Sequence, residues 1–464
     1  MSPFSFHASS NPTSPSPRKV ALFATLAGAL CLTLGGLPAA TATPSTQDSP
    51  SDSPVDTILA DGVEVTLNGQ YLIAADGDPL APETVIHLDS GKFVPVDAAS
   101  VDPSVDSGDM VLATVEVPGA FIASLPPETL AEIAASGDVG AAAAGPVDEG
   151  GEVAGLVLDA VANSSERLTV ADESVLEVAQ SPGSAEAAPP GPYVHTMHVV
   201  FITRDSRRVF WTKSQLDGYV NGLSQWWNRE SRGAVTATYN WNDVIGIQSD
   251  VQCSSSLPEV QSAATNALAA AGQPVYDWTT NTSQHHLVVL TASDEEIGGC
   301  SHSFAGHGWL LRDFSSPGAM RNIVSASADT SQSPPLSTFI HETGHNFGLS
   351  HAGSLTCPSG KLDGEHAGTG ACSVANYGNQ YNIMGYSYGS VPYSILSSQK
   401  AQEHLITDGE GYLTIASPVT GGLYTISAAS TQDLSARQGL RILDSVGGQQ
   451  RTYWVDYLSN AEGG

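Results

Sequence analysis

The residues best suited to chemistry form one short run, H-E-T-G-H-N-F-G-L-S-H, which begins at His341. His341 and His345 are four positions apart, so on a helix their imidazoles project from one face, one turn apart, and both can bind a single zinc ion. Glu342 is displaced around the helix by one residue, where its carboxylate can hold a water. Gly348 supplies the left-handed turn that ends a helix, and the chain can then deliver His351 as a third nitrogen ligand. Three neutral ligands leave a position open, as a catalytic zinc site requires.

A chance run on an amphipathic helix is the alternative explanation. A plain H-E-x-x-H pair is common enough to mislead, whereas the extended form with a glycine and a third histidine is rare. The flanking residues also favour a rigid helix, since Ser333 is a suitable N-cap and Pro334 and Pro335 fit a first turn, where a missing N–H costs nothing. The sequence therefore predicts a zinc site on a helix.

A second motif, Y-N-I-M-G-Y, places Met384 33 residues after His351 (384 − 351). Together the two motifs resemble the signature helix and Met-turn of the metzincin metallopeptidases. The wider context resembles the gametolysin-like secreted peptidases, whose helix H-E-x-G-H-N-F-G-L-x-H and turn Y-G-[DN]-x-x-x-x-M-G are both matched. Asn379 occupies a position of that turn where aspartate is more frequent. The resemblance covers residues 193–390.

The resemblance implies an α+β fold. Its catalytic domain would have a twisted, mostly parallel sheet with an antiparallel edge strand, an active-site helix and a C-terminal subdomain that contains the Met-turn. A small mixed or β propeptide domain would precede it, and a short β-rich tail would follow. The region of His302 and His307 would supply the edge strand, where their side chains could touch substrate.

The resemblance also implies roles for single residues. One catalytic Zn²⁺ would be bound by the three histidines, and Glu342 would take a proton from water and return it to the leaving amine. Met384 would form a hydrophobic base beneath the histidines without binding the metal. Tyr386 stands two residues further on, where it would either cap the metal and steady the oxyanion or simply pack as an ordinary tyrosine.

The net charge of −31 is distributed unevenly along the chain. Residues 1–42 carry Arg18, Lys19 and no acid, then an uncharged apolar stretch and a small-x-small site, as in a secretory signal peptide. An uncleaved membrane anchor is the alternative. Residues 43–190 hold 26 acidic and two basic residues, net −24, and residues 191–464 hold 22 acidic and 13 basic residues, net −9. These segments predict a signal peptide at 1–42, an acidic propeptide-like domain with linkers at 43–190, a metzincin zinc peptidase domain at 191–410 and a β-rich C-terminal segment at 411–464.

The acidic segment combines structured and linker-like stretches. Residues 63–67 and 110–117 have strand composition, and residues 126–133 are typical of a short helix. Residues 137–151 and 180–192 are rich in small residues and predict linkers. Between 43 and 190 there is no cysteine, so latency, if this segment provides it, must use a carboxylate, a histidine or steric cover. A folding aid or an adhesion module is the alternative.

The third segment alternates predicted strands and helices, which indicates an α/β layer. The strands are at 194–202, 234–239 and 286–291, and the helices at 213–229 and 257–271. Residues 411–415 and 422–426 predict further strands, and residues 439–457 resemble the β-rich tail of the gametolysin-like peptidases.

Four cysteines remain after the signal peptide, and an even count in an exported chain suggests two disulfides. Their order favours Cys253–Cys300 and Cys357–Cys372, with free buried thiols as the alternative. The other histidines are expected to be surface or packed residues: His195, His198, His285, His286, His302, His307, His366 and His404. A Ca²⁺ site at residues 294–296 and glycosylation at Asn163 or Asn281 are weaker possibilities.

The expected function is a secreted zinc endopeptidase that is made as a precursor and acts on proteins or peptides. Its location would be extracellular or cell-wall associated, and the mature protein a monomer. Nucleic acid is not expected as a partner, because a strongly acidic chain is repelled by phosphates, and no stable membrane insertion is expected after signal removal. The alternatives are a secreted binding or adhesion protein with a non-catalytic zinc site, and a hydrolase of non-protein amides such as a cell-wall peptide.

Overall fold

The computed structural model describes residues 53–458, with longer gaps at 178–191, 326–333, 357–372 and 386–393. Shorter gaps are at 79–80, 103–104, 106, 163, 165, 205–208, 255, 279–283, 294–298, 301–303, 404, 407, 417–422, 430, 432, 434 and 447–448. Several predictions therefore lie outside the described residues: the signal peptide, Ser333, Tyr386, Cys357–Cys372, His302, His366, His404, residues 294–296, Asn163 and Asn281. Among the described residues, no helix is both long and apolar enough to cross a membrane.

Residues 53–177, called here the N-terminal segment, fold around a mostly antiparallel sheet. Its strands are β1 (Val63–Asp78), β2 (Ala81–Leu88), β3 (Phe93–Pro95), β4 (Met110–Val117), β5 (Val147–Asp148) and β6 (Thr169–Glu177). Their order is β3-β2-β1-β4-β6, and β5 also pairs with β1. Every second side chain of β4 is buried, because successive residues of a strand point to opposite faces.

Helices complete the core of the N-terminal segment. They are α1 (Pro54–Asp61), α2 (Gly119–Ala123), α3 (Pro127–Ala135), α4 (Val139–Ala142) and α5 (Glu152–Ala162). Ile58 and Val157 are fully buried and belong to the same apolar cluster as Val65 and Val115 of the sheet. The segment thus has a core of its own.

The prediction of a linker at 137–151 was wrong. Residues 139–142 form α4, and Val147 of β5 pairs with Val65 of β1. Ala142 and Val147 are both buried. Two residues of this stretch, Ala142 and Val147, thus reach the core, while most of the small residues around them are exposed or only partly buried.

Residues 192–403, called here the central segment, contain a second sheet. Its strands are β7 (Tyr193–Thr203), β8 (Val235–Tyr239), β9 (Ile245–Gln248), β10 (His285–Ala292), β11 (Gly306–Gly308) and β12 (Gly318–Val324). The order is β11-β12-β10-β7-β8, with β9 also beside β7. All pairs are parallel except β11–β12, so the sheet is mostly parallel with one antiparallel edge strand, as predicted.

Three helices cover the two faces of this sheet: α6 (Lys213–Glu230), α7 (Leu257–Ala270) and α8 (Pro334–Asn346). A capping box formed by Thr212 and Gln215 starts α6. One face, with Phe201 of β7, packs with α6 and α8, and the other, with Val200, packs with α7. The parallel strands are therefore buried on both sides, as their continuous apolar composition requires.

The N-terminal segment packs against the α7 face of the central sheet. Leu72 and Phe93 share one apolar cluster with Val260 of α7 and with Trp309, which follows the edge strand. The Phe93 and Trp309 rings are stacked, with centroids 5.7 Å apart. The backbone N–H of Leu257 donates to a Glu83 carboxylate oxygen at 3.2 Å. The two segments thus share a core.

After α8 come a short strand pair, β13 (Ser354–Thr356) and β14 (Ser373–Ala375), and a helix, α9 (Ser397–Gln402). The last strands described, β15 (Tyr412–Ala416), β16 (Gly439–Val446) and β17 (Gln449–Asp456), form a small C-terminal sheet. The hairpin β16–β17 lies where strands were predicted. The strand predicted at 422–426 was wrong, since residues 423–427 have no regular secondary structure.

A buried lysine of the central segment, Lys400, holds the residues after 403 in place. Lys400 of α9 lies 3.2 Å from Glu230 of α6, and both side chains are fully buried. Burial lowers the pKa of Lys400, and the Glu230 carboxylate opposes that shift. The Lys400 ammonium also donates to the carbonyl of Ala429. The residues after 403 are thereby held to the central segment.

Candidate metal centre

Two of the predicted ligands meet on α8. Nε2 of His341 lies 3.1 Å from Nε2 of His345. Each ring donates its Nδ1–H to a backbone carbonyl at 2.7 Å, His341 to Ile383 and His345 to Leu349. Since a carbonyl only accepts, Nδ1 must carry the proton in both rings, and both Nε2 lone pairs point into the same space.

The end of α8 brings the third histidine to this space. The N–H of Leu349 donates to Gly344 O at 2.9 Å and that of Gly348 to His345 O at 2.9 Å, which is a Schellman motif. Gly348 has a φ of +84°, and a Cβ there would also overlap the backbone of Arg312. The reversed chain places a ligand atom of His351 within 4.8 Å of those of His341 and His345.

These three residues fit a zinc ion. Two Nε2 lone pairs cannot hydrogen-bond to each other, so a cation is what stabilises their approach. Two nitrogens bound tetrahedrally to one zinc ion are about 3.3 Å apart, close to the 3.1 Å found here. An all-nitrogen set suits zinc and does not suit Ca²⁺, which prefers oxygen. The side-chain nitrogen of Asn376 lies 3.1 Å from Nδ1 of His351. A half-turn of this amide would place its oxygen there, to accept from Nδ1–H and hold the third ring in the same tautomer as the other two.

Glu342 lies between the helix and the edge strand. Its side chain is only 1 % exposed. A Cβ at Gly306 would overlap the Glu342 carboxylate, and one at Gly308 would come within 2.7 Å of the Glu342 main-chain oxygen. Burial raises the pKa of the neighbouring Tyr219 well above its usual value, and the Glu342 charge adds to that shift. The two glycines of β11 thus let the carboxylate lie directly against the edge strand.

The predicted Met-turn lies beneath the histidines. Met384 is fully buried, and its sulfur packs at Gly344, where a Cβ would overlap it. Ala352 donates its N–H to Met384 O at 2.8 Å, and Asn382 accepts from the Met384 N–H at 2.8 Å. Since Ile383 accepts from His341, this turn supports the helix that carries the first two histidines.

A buried polar chain lies behind the site, and it was not predicted as part of it. His195 Nδ1 is 2.8 Å from His286 Nε2, and His286 Nδ1 is 3.1 Å from the side-chain oxygen of Asn346. The Asn346 amide donates to Trp309 O at 2.9 Å and to Ala319 O at 3.2 Å. Asn346 therefore joins the C-terminal end of α8 to the edge of the sheet. The sequence signals for Asn346 were its position directly after His345 and its place in the helix pattern H-E-x-G-H-N-F-G-L-x-H.

Tyr377 was also missed as a site residue. Its ring lies against that of His351, with centroids 3.9 Å apart. Tyr377 is the first residue of the turn motif Y-G-[DN]-x-x-x-x-M-G, but its contact with His351 arises from the chain reversal between the two residues.

His307 is a packed residue, one of the two outcomes expected for it. Its side chain is 4 % exposed, and its ring stacks on that of Phe304 with centroids 3.9 Å apart. The predicted disulfide Cys253–Cys300 is present.

A family model described as metallo-peptidase family M12B, reprolysin-like, matches residues 235–397. This stretch includes the edge strand, α8, His351 and the Met-turn. No curated protein matches the chain. The family match and the three-histidine cluster together support a metzincin-like zinc metallopeptidase.

Proposed function

We propose that the chain is a secreted zinc endopeptidase of gametolysin-like character, made as a precursor whose N-terminal segment is removed. The observation that carries this proposal is the convergence of two proton-free Nε2 atoms at 3.1 Å with His351 beside them and Glu342 on the same helix. The match to a peptidase family over this stretch supports the reaction class.

The chain's own residues account for the chemistry. His341, His345 and His351 would hold the zinc ion, which when bound acidifies water and polarises a carbonyl group. Glu342 receives the proton that the attacking water gives up and passes it to the nitrogen of the departing amine. The Nδ1 contacts of His341 and His345 keep their Nε2 atoms directed at the ion. The contact between the Met384 sulfur and Gly344 fixes how closely α8 packs on the Met-turn.

The decisive test replaces Glu342 with glutamine. Glu342→Gln removes the base but no metal ligand, so the processed protein should keep one zinc ion and lose about 10²–10⁴-fold in casein hydrolysis. Glu259→Gln, at an exposed position of α7, is the matched control and should behave as the natural chain does. Full activity of a folded Glu342→Gln protein would overturn the mechanism. Zinc binding without turnover of any protein would instead favour a binding protein.

Export and processing need their own test. N-terminal sequencing of the active extracellular form should find a start within about ten residues of Tyr193, after loss of the predicted signal peptide and the acidic segment. An active form that still begins near residue 43 would contradict the precursor proposal.

A further inference from the structure

The edge strand β11 has one side that faces away from β12. Trp309 N–H donates to Ala319 O at 3.3 Å, and Ile323 N–H donates to Ala305 O at 2.8 Å, so residues 305 and 309 direct their backbone groups toward β12. Backbone groups alternate in direction along a strand. Those of Gly306, Gly308 and Leu310 therefore point outward, as a row on which an extended peptide can pair.

This outward row runs beside the proposed base. Gly306 touches the Glu342 carboxylate from within the strand. A peptide paired to β11 would lie about 4.8 Å further out, one strand spacing away. Leu311 donates its N–H to His345 O at 3.0 Å, so the strand is also fixed to the helix that carries the ligands. A peptide on this edge would therefore lie next to the strand that contacts Glu342 and the backbone of His345.

The N-terminal segment already pairs with the same edge. Leu310 N–H donates to Ile73 O of β1 at 3.1 Å, and Ala74 forms an antiparallel bridge with Trp309. The Ser107 hydroxyl completes the pairing: it accepts from Ile73 N–H at 3.0 Å and donates to Leu310 O at 2.8 Å. Beyond this point β1 stays in contact with β11.

We propose that β1 and an extended peptide compete for the outward edge of residues 306–310, so that the N-terminal segment keeps peptides out by occupying their pairing strand. This inference rests on the proposed function. Latency then comes from backbone pairing and apolar packing, and it does not require a side chain of the N-terminal segment to bind the metal ion.

Peptide binding tests the competition without turnover. In the Glu342→Gln background, a site-specific protease sequence is placed within residues 181–190, and binding of a fluorescent casein-derived peptide is followed by anisotropy before and after cutting. Cutting and separating the segments should tighten binding at least tenfold. Adding the separated N-terminal segment back should displace the peptide competitively.

A single substitution tests the contact itself. Ser107→Ala removes the hydroxyl that joins Ile73 to Leu310, so the uncut protein should bind the peptide roughly fivefold more tightly, about 1 kcal/mol. Ser124→Ala is the matched control, because its hydroxyl also donates to a backbone carbonyl of the N-terminal segment, that of Phe121, away from β11. It should leave binding unchanged.

Hydrogen exchange gives a readout that is independent of peptide and metal. The amide of Leu310 should be protected in the uncut chain and exchange faster once the N-terminal segment is removed. Unchanged exchange and unchanged binding after removal would overturn the proposal. Faster exchange without tighter binding would also overturn it, since the edge would then be uncovered but not be the peptide site. Absence of hydrolysis in every form would count against the proposed function alone.

Discussion

At the scale of single residues, the site depends on two small residues as much as on its ligands. The Glu342 carboxylate lies so close to Gly306, and the Met384 sulfur so close to Gly344, that neither glycine has room for a Cβ. A side chain at either position would displace a group that the chemistry needs. Positions of this kind are recognised only when the packing is known, because nothing in their local sequence distinguishes them from other glycines.

Gly306→Ala should therefore impair the proposed base. The added methyl group displaces the Glu342 carboxylate, and a shift of about 1 Å costs on the order of 10²-fold in kcat. Zinc content should not change, since no ligand is touched. Gly308→Ala is a useful comparison: its methyl meets the main-chain oxygen of Glu342 and should lower the Tm as well. Unchanged kcat in Gly306→Ala would contradict this account of the edge strand.

The ligand run was predictable from sequence because its geometry is local. A four-residue spacing on a helix and a glycine in the left-handed region are sufficient to bring His341, His345 and His351 together. Tyr377 and Asn346 were not predictable, because their contacts depend on how α8 packs against the Met-turn and the sheet edge. Long-range packing leaves little trace in a single sequence.

At the scale of elements, strands β7 and β10 carry a histidine pair on each face. His195 and His286 meet on the α8 side, and His198 lies 2.8 Å from His285 on the α7 side. Burial lowers the pKa of His198 and of His286 to about 4. The order of these strands and helices along the chain was predictable from alternating apolar runs. Which histidines meet could not be predicted, because it depends on the register between β7 and β10.

These pairs should make stability depend on pH. In the unfolded chain histidine has a pKa near 6.5 and takes up a proton there, while His198 and His286 stay neutral in the folded protein down to about pH 4. The unfolded state thus binds more protons between these values, and the stability present above pH 6.5 is lost as pH falls toward 4.

Thermal unfolding of the metal-free protein at pH 7.0 and 4.5 measures this loss. The Tm should fall by roughly 5 °C. The His198 ring packs against Tyr276 and Trp278, so a phenylalanine can take its place. The variant His198→Phe should therefore show a smaller difference in Tm between the two pH values. The account fails if the natural chain and the variant give the same difference between the two pH values.

At the scale of the whole molecule, apolar clusters and buried polar contacts join segments that differ in charge and composition. The charge distribution indicated three parts, and the N-terminal segment does have its own core. A second cluster nevertheless crosses from Leu72 to Trp309, and Lys400 joins the C-terminal sheet to α6. Composition indicates where segments begin and end, but not which surfaces they bury against each other.

Lys400→Met should separate the C-terminal sheet from the central segment. The change leaves the Glu230 charge buried without its ammonium partner, and such losses cost about 3–5 kcal/mol. Tm should fall and limited proteolysis after residue 403 should increase. Lys213→Met is the control, because its ion pair with Asp217 is exposed and contributes about 1 kcal/mol or less. Equal effects of the two substitutions would show that the buried pair has no special importance.

The stacked Phe93 and Trp309 rings belong to an apolar contact between the N-terminal and central segments, and such a contact responds to salt differently from an ion pair. Residues 43–190 carry −24 and residues 191–464 carry −9, so the two parts repel each other while apolar contact holds them together. Salt screens repulsion between charges of like sign and leaves apolar association intact. Dilute buffer should therefore favour dissociation of a cleaved N-terminal segment and concentrated salt should retain it, the reverse of an interface held by opposite charges.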